Sequence, residues 1–351
     1  MTTIDRASRT PGVPAHSASR PALLAAVASA LAATVAPSAA LACACGCSAF
    51  DVGGIGNLPQ EDDHGGRVFT EWYHATQSKN WFGTASASPD ANSDKKISTN
   101  WVTAGIQYMF NRDWGVMAKI PYADRAFTTD TGAGVPTFHS STWGDAEIMA
   151  MYTGFSPTMS TGITVGLKLP TGTYTAANFD RDTQIGSGST DLLLGAFHRG
   201  MITGDNAWQY FGQVRWQIPI ATKSSLDQAS GTTVSYRPGA EIDGAIGIVY
   251  NNGYKVLGFD KAAPLLQIVG IHRERDSGTA ADPANTGFDR LLLSPGVEFT
   301  MVLDEANKRV LKVYGDVEIP IYTRTNGDGS NKGQGQLVAP VLYKLTASYA
   351  F

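Results

Sequence analysis

The segment "WQYFGQVRWQIP", Trp208 to Pro219, alternates polar and apolar residues along most of its length. Polar residues take one parity, at Gln209, Gln213, Arg215 and Gln217, and apolar residues take the other, at Trp208, Tyr210, Val214, Trp216 and Ile218. Because successive side chains of a strand point to opposite faces, this period predicts a strand with one wet face and one apolar face. The segments "RPGAEIDGAIGIVY" (237–250) and "VLKVYGDVEIPIY" (310–322) repeat the pattern.

The same alternation predicts strands along the rest of the chain. They fall at 66–77, 97–110, 113–123, 143–155, 158–170, 188–199, 207–220, 236–250, 255–272, 288–302, 309–322 and 336–351. The connections after even-numbered strands are compact, such as the "NNG" at 251–253, whereas those after odd-numbered strands are long and polar, such as 77–96. Short turns at one end and long loops at the other are typical of bacterial outer-membrane barrels. The sequence therefore predicts an all-β fold, a closed antiparallel transmembrane β-barrel of about 12 strands.

Two further features agree with a barrel in a bilayer. Aromatic residues near the predicted strand ends are expected to form interfacial girdles: Trp72, Trp101, Trp114, Trp143, Tyr152, Trp208, Trp216, Tyr250, Tyr322 and Tyr349. The repeated motifs "KIP" (119–121), "KLP" (168–170), "QIP" (217–219) and "EIP" (318–320) are expected to mark the rim, because proline removes a ladder hydrogen bond. The chain ends in "YKLTASYAF", which resembles the C-terminal signature of outer-membrane barrels. A soluble β-sandwich also alternates, but it would not need aromatics on a wet face.

The N-terminal residues have the parts of a secretory signal peptide: a basic start, an alanine-rich apolar run and the A-x-A pattern at 40–42. A membrane anchor is the alternative, although Pro37 interrupts the run and no charge cluster follows it. We therefore predict a signal peptide at 1–42, a cysteine-containing periplasmic segment at 43–65 and an outer-membrane barrel at 66–351. The net charge of −4 gives no electrostatic case for nucleic-acid binding.

The segment "VGLKLPTGTYTAANFDRDTQIGSGSTDLLLGAFH", 165 to 198, resembles the family named for the MetA pathway of phenol degradation. The matching features are "LPTG", an acidic and glycine-rich loop, and "IGSGSTD" leading into a strand. Members of that family are outer-membrane barrels often labelled transporters. The resemblance implies a channel or uptake protein for small solutes, with small organic compounds as an expected class.

Charges of both signs are predicted to face the interior: Lys119, Asp145, Glu147, Lys168, Arg215, Arg237, Glu241, Asp243, Lys312, Asp316, Glu318 and Lys344. One interpretation is a narrow pore whose charges select solutes. The other is a lumen cross-linked by ion pairs and largely closed, since twelve strands enclose a narrow interior. The mixed signs argue against a strong preference for anions or cations.

No enzyme is predicted. A serine hydrolase needs a serine with a histidine base, and no G-x-S-x-G motif is present. A serine in hydrogen-bond reach of His139 or His198 would change that interpretation.

The chain's three cysteines, Cys43, Cys45 and Cys47, all lie in "LACACGCSAF" (41–50). In an extended segment their sulfurs point the same way and form a soft ligand set for Cu(I) or Zn(II). Acylation of Cys43, disulfides to a periplasmic partner and a tail folded into the lumen are alternatives. The segment therefore suggests a second function class, an outer-membrane partner protein whose tail binds metal or docks a periplasmic redox or metal protein.

Overall fold

The computed structural model describes residues 65–226, 231–283, 286–326 and 335–351, and these form an all-β structure. The barrel strands are β1 (Gly65–Gln77), β2 (Asp94–Met109), β3 (Trp114–Thr129), β4 (Ala146–Tyr152), β5 (Thr161–Leu169), β6 (Ser189–Met201), β7 (Trp208–Thr222), β8 (Glu241–Tyr250), β9 (Phe259–Arg273), β10 (Phe288–Asp304), β11 (Arg309–Thr325) and β12 (Leu342–Ala350). Each of the twelve overlaps one predicted strand, so the predicted strand plan is confirmed.

The strands form a closed antiparallel ring. Each pairs with its neighbours in the chain, and β1 pairs with β12 in a register that places Trp72 opposite Leu345. At the short-turn end, Gly66 and Phe351 exchange backbone hydrogen bonds of 2.9 and 2.8 Å. Lipid cannot satisfy backbone polar groups, so closure of the sheet is what a bilayer requires.

The two faces of the wall differ as the alternation predicts. Apolar side chains such as Val214, Ile246 and Val102 point outward and are 45%, 66% and 45% exposed. Charged side chains such as Arg215 and Asp243 point inward and are buried. The polar face of the sheet is therefore shielded inside the barrel, and an apolar band faces the surrounding membrane.

Aromatic side chains collect at both ends of the outer surface. At the short-turn end the ring centroids of Trp114 and Tyr152 are 4.8 Å apart, and those of Trp208 and Tyr250 are 5.0 Å apart. At the long-loop end the Tyr122 and Trp143 rings meet at 5.3 Å. The prediction for Trp101 was wrong. It has inward parity on β2 and is 7% exposed, so it lies inside the barrel.

The proline motifs mark irregular pairing more often than the end of the wall. Pro170 follows the last residue of β5, as predicted. Pro121 lies within β3, where pairing with β4 ends at Lys119 and pairing with the strand Thr137–Trp143 begins at Tyr122. Pro219 and Pro320 lie beside bulges in strands that continue for several residues. A bulge tolerates the missing N–H, so these strands extend beyond the expected rim.

Additional short strands occur outside the ring. Lys79–Phe82 pairs with Ala85–Ser86 and with Gln336–Val338 among the long loops, and Ser225–Leu226 pairs with Thr233–Val234. Tyr254–Val256 pairs with β9 at the short-turn end. A 3-10 turn covers Pro89–Ala91. Among the residues described, no helix is both long and apolar enough to cross a bilayer.

Candidate pore site inside the barrel

A chain of ion pairs crosses one inner wall from β3 to β8. The Lys119 ammonium lies 3.0 Å from Glu147, and Glu147 is 3.4 Å from Arg215. Arg215 also donates a 3.1 Å hydrogen bond to Asp243. All four side chains have inward parity and little exposure to solvent. Each charge therefore has an opposite neighbour, which is what makes burial of four charges on one wall tolerable.

A second group of polar contacts lies beside this chain. The Lys168 ammonium is 2.6 Å from Asp191 and 4.0 Å from Asp145. Asp191 also accepts hydrogen bonds from Gln217, at 2.7 Å, and from the Ser189 hydroxyl. Asp191 is fully buried, so its charge is compensated by contacts from three different strands.

The opposite wall carries its own network. Lys344 lies 3.2 Å from Glu71, and Lys312 lies 3.2 Å from Glu298. Asp316 accepts hydrogen bonds from Tyr314 at 2.5 Å, Ser294 at 2.6 Å and Gln267 at 2.9 Å. Glu318 is fully buried, and neither of its carboxylate oxygens has a hydrogen-bond partner among the described residues.

The segment 170–188, here called the inner loop, reaches into the barrel. Arg125, which is 1% exposed, donates hydrogen bonds to the carbonyl oxygens of Thr183 and Gln184, the latter at 3.2 Å. Ile185, near the C-terminal end of the loop, packs in the main cluster of buried apolar residues, with Tyr73 and Trp101. The inner loop contains most of the stretch that resembles the phenol-degradation family.

The two ends of the inner loop are held together by one carboxylate. Asp145 accepts from the Gly172 backbone N–H at 2.9 Å and from the Ser187 N–H and hydroxyl at 2.8 and 2.5 Å. Gly172 and Gly186 pack backbone to backbone, and a Cβ on Gly186 would lie 2.4 Å from the Gly172 carbonyl carbon. The glycines of "LPTG" and "IGSG" are therefore required by a close approach of two chain segments.

Aromatic and acidic groups attach the inner loop to other long loops. The Arg181 guanidinium lies 4.9 Å from the Tyr174 ring centroid and 4.5 Å from that of Tyr236. Asp276 accepts from the Tyr236 hydroxyl at 2.5 Å and pairs with Arg273 at 3.0 Å. Three long loops are thus joined through charged groups.

Burial disfavours the ionised form of two carboxyl groups in the inner loop. Burial raises the pKa of Asp180 from 3.8 to about 6. Burial raises the pKa of Asp182 well above its usual value, and the neighbouring Asp180 carboxylate raises it further. Protonation of these groups therefore favours the position of the inner loop inside the barrel.

A cavity of about 240 Å³ lies under the inner loop. Lys119, Glu147 and Arg215 line one part of it, and Arg181 and Asp182 of the inner loop line another. Phe69, Phe197 and three methionines form an apolar part. The space suits a small molecule with one polar and one apolar end.

Eleven of the twelve predicted lumen residues lie on the inner side of the wall or at its edge, where they form the contacts above or face the interior. Arg237 differs. It is exposed, lies before the first residue of β8 and donates to the Pro219 carbonyl at 2.6 Å. The predicted strand at 236–250 therefore started too early, because β8 begins only at Glu241.

Several residues at the site were not predicted. Glu71, Asp191 and Glu298 have inward parity on their strands, which the alternation signal would have revealed. Arg125 lies past the predicted end of the third strand, and Arg181 is in a loop, where alternation gives no information.

The histidines considered for catalysis have no serine contact in the described hydrogen bonds. The His198 ring bonds to Thr161 at 2.7 Å and Tyr210 at 3.0 Å on the outer face. Among the described residues, no group of three or more His, Cys, Asp or Glu residues has a metal-binding arrangement. Cys43, Cys45 and Cys47 lie outside the described residues, as do the predicted signal peptide and nearly all of the segment 43–65.

The fold and its apolar outer band define a transmembrane β-barrel of the outer-membrane type. An outer-membrane channel of the COG4313 group from Pseudomonas putida F1 superposes with a TM-score of 0.57 at 13% identity, covering 86% of this chain and 100% of that one. At this identity the similarity shows a shared fold, which agrees with the resemblance seen in residues 165–198.

Two other solved structures superpose with lower TM-scores. The β-domain of the Bordetella autotransporter BrkA has a TM-score of 0.42 at 10% identity, with 83% of this chain and 99% of that one covered. The CymD monoaromatic hydrocarbon channel has a TM-score of 0.37 at 11% identity, with 83% and 88% covered. No protein-family model matches the sequence, and no curated protein matches it significantly.

Proposed function

We propose that the protein is a channel of the bacterial outer membrane for small solutes, and that the inner loop controls passage through it. The observation that carries this proposal is the cavity under the inner loop, lined by polar groups from several strands. A barrel with a purely structural role would have no reason to keep a space of about 240 Å³ beneath a folded-in loop. The fold that it shares with a solved outer-membrane channel supports the same function.

The pairing of the lumen charges bears on the class of solute. A permeating ion would have to compete with existing partners such as Lys119–Glu147 and Arg215–Asp243, at 3.0 and 3.1 Å. An uncharged molecule leaves those pairs intact and gains contact with the apolar part of the cavity. Small, weakly polar organic compounds are therefore the class that we propose, in agreement with the resemblance to the phenol-degradation family.

Release of the inner loop tests the proposal. Arg125→Met keeps the aliphatic stem of the side chain and removes the donors to Thr183 and Gln184. We expect larger and more frequent openings in planar bilayers, and faster swelling of proteoliposomes in small uncharged solutes. Arg324→Met is the matched control, because Arg324 is exposed at the same end of the barrel and pairs outward with Asp289 at 3.6 Å.

The control should behave like the unchanged protein. A barrel that remains impermeable to small solutes when Arg125→Met is combined with deletion of 176–184 would contradict the channel proposal. Equal effects of the two arginine substitutions would contradict the role of the inner loop.

A further inference from the structure

Five of the eight methionines in the chain converge inside the barrel at its short-turn end. Met109, Met151 and Met159 form one buried cluster, and Met117 packs against it. Met149, which is 3% exposed, lies directly opposite Met117 across the β3–β4 pair. These five residues are here called the methionine cluster.

The strand register brings the thioethers together. Met117 and Met149 are Cα partners, and directly opposite residues have Cβ atoms about 4.5–5.5 Å apart. In the next inward row, Gly115 lies between Met109 and Met151. A side chain of three rotatable bonds can then turn its sulfur toward its neighbours.

Glycines make room for two of the methionine side chains. A Cβ on Gly115 would lie 2.3 Å from the Met109 sulfur, so this thioether lies directly over the glycine. A Cβ on Gly166 would lie 2.4 Å from the Met149 Cγ. The wall is therefore shaped around the methionine side chains.

The use of methionine here contrasts with the rest of the inner wall. Other buried apolar positions on the inner face carry Leu193, Leu265, Val269 and Leu292. Methionine often fills irregular gaps, and a single one would need no other reason. In the turn before β5, however, Met159 adopts a left-handed φ of 51° with a fully buried side chain. A conformation that is uncommon for such a residue is thus used to bring another thioether to the cluster.

The cluster is open to the interior of the barrel. Met117, Met149 and Met151 line the cavity.

We propose that the methionine cluster is a binding site for a soft monovalent metal ion, Cu(I). Thioethers are soft ligands that select Cu(I) over the hard and borderline divalent cations. They carry no proton, so this site binds over a wide pH range, unlike a thiolate site, whose ligands must first be deprotonated. The proposal goes beyond the channel function and does not depend on conduction.

Competition for Cu(I) tests the site. The full-length mature protein carries Cys43→Ser, Cys45→Ser and Cys47→Ser to remove the tail thiols, and is titrated anaerobically with Cu(I) against a chromogenic Cu(I) chelator. We expect stoichiometric binding that changes little between about pH 5 and pH 8. Combined Met117→Leu, Met149→Leu and Met151→Leu should lower the Cu(I) affinity by more than about tenfold. Loss of groups that only support metal ligands already lowers metal affinity about tenfold, and these substitutions remove the ligands themselves.

The matched control is Met201→Leu with Met301→Leu. These residues lie on β6 and β10 outside the methionine cluster, so their substitution should leave Cu(I) binding unchanged. Leucine conserves the volume of methionine, and heat-modifiable migration on gels reports whether each variant has folded. Absence of Cu(I) binding in the cysteine-free protein, or equal binding by both variants, would overturn the proposal.

Selenomethionine labelling provides a second measurement without these substitutions. X-ray absorption at the selenium edge of the labelled, Cu(I)-loaded protein should show copper neighbours for a fraction of the selenium atoms. A selenium spectrum unchanged by Cu(I) would refute the site even if the leucine variants failed to fold.

Discussion

Replacement of Val214 by arginine tests which face of the wall contacts lipid and where the membrane lies. Val214 has outward parity on β7, and its cross-strand partners are Ala196 and Gly244. These small neighbours leave space for a long side chain, so the cost of the substitution comes from the surroundings and not from a clash.

The depth of Val214 follows from the strand geometry. It lies six residues after Trp208 of the short-turn aromatic girdle. At about 3.3 Å per residue and a tilt of about 40°, this is roughly 15 Å along the barrel axis. The apolar band is about 25 Å tall, so Val214 lies near its middle.

Arginine at that depth should cost about 2–4 kcal/mol. Since about 1.4 kcal/mol corresponds to a factor of ten, the folding equilibrium should fall by roughly 30- to 700-fold. The measurement is urea-dependent folding into lipid vesicles, followed by heat-modifiable migration. Ile220→Arg, on the same face but above the band, should cost less than about 1 kcal/mol.

Gln213→Arg is the control for the direction of the side chain. Gln213 lines the cavity, where carboxylates such as Glu147 and Glu241 favour a new cation. If Gln213→Arg destabilised the barrel as much as Val214→Arg, the assignment of the two faces would be wrong. If Ile220→Arg did so, the placement of the membrane would be wrong.

Three further predictions concern pH, topology and the thiols. As pH rises from about 4 to 7, Asp180 ionises around its raised pKa of about 6, so the position of the inner loop inside the barrel becomes less stable and conductance should increase. Asp180→Asn should flatten this response, and a conductance that falls over this range would contradict the loop assignment. In a cysteine-free background, Ala133→Cys in an exposed long loop should be labelled on intact cells and Asn307→Cys in a short turn should not, and the reverse result would invert the topology. Cys45→Ser with Cys47→Ser should remove metal bound at the N-terminal tail while leaving heat-modifiable migration intact, and a lipid found on Cys43 by mass spectrometry would rule out a three-thiolate site.

The sequence allowed the strand plan to be predicted because the alternation of side chains and the lengths of the connections are local signals. Each inward position is two residues from the next, and the alternation of short and long connections sets the direction of every strand. Trp101 was placed wrongly because a tryptophan near a strand end was assigned to a girdle without regard to its parity. Its side chain lies inside, where the Arg125 guanidinium is 5.7 Å from its ring centroid.

The candidate site was only partly predictable. Parity indicated that Lys119, Glu147 and Arg215 face inward, but it left open whether those charges select solutes or pair with one another. The distances of 3.0 and 3.4 Å show pairing. The inner loop could not be predicted, because its position depends on Arg125 and Asp145 meeting backbone groups far along the chain.

The methionine cluster depends on two separate features, the alternation of side chains within each strand and the register between strands. Met109, Met117, Met149 and Met151 all have inward parity, which the alternation predicts for each strand alone. Parity does not say that they occupy two adjacent inward rows, because a shift of two residues in any pairing preserves the face and moves a side chain by about 6–7 Å along the strand. The pairing of Met109 with Gly115, of Gly115 with Met151 and of Met117 with Met149 fixes those rows. Any ligand that requires several thioethers at once therefore depends on the register of β2, β3 and β4. A two-residue slip there would change which methionines are neighbours and still leave an apolar lining, so Cu(I) binding would report on strand register as well as on side-chain identity.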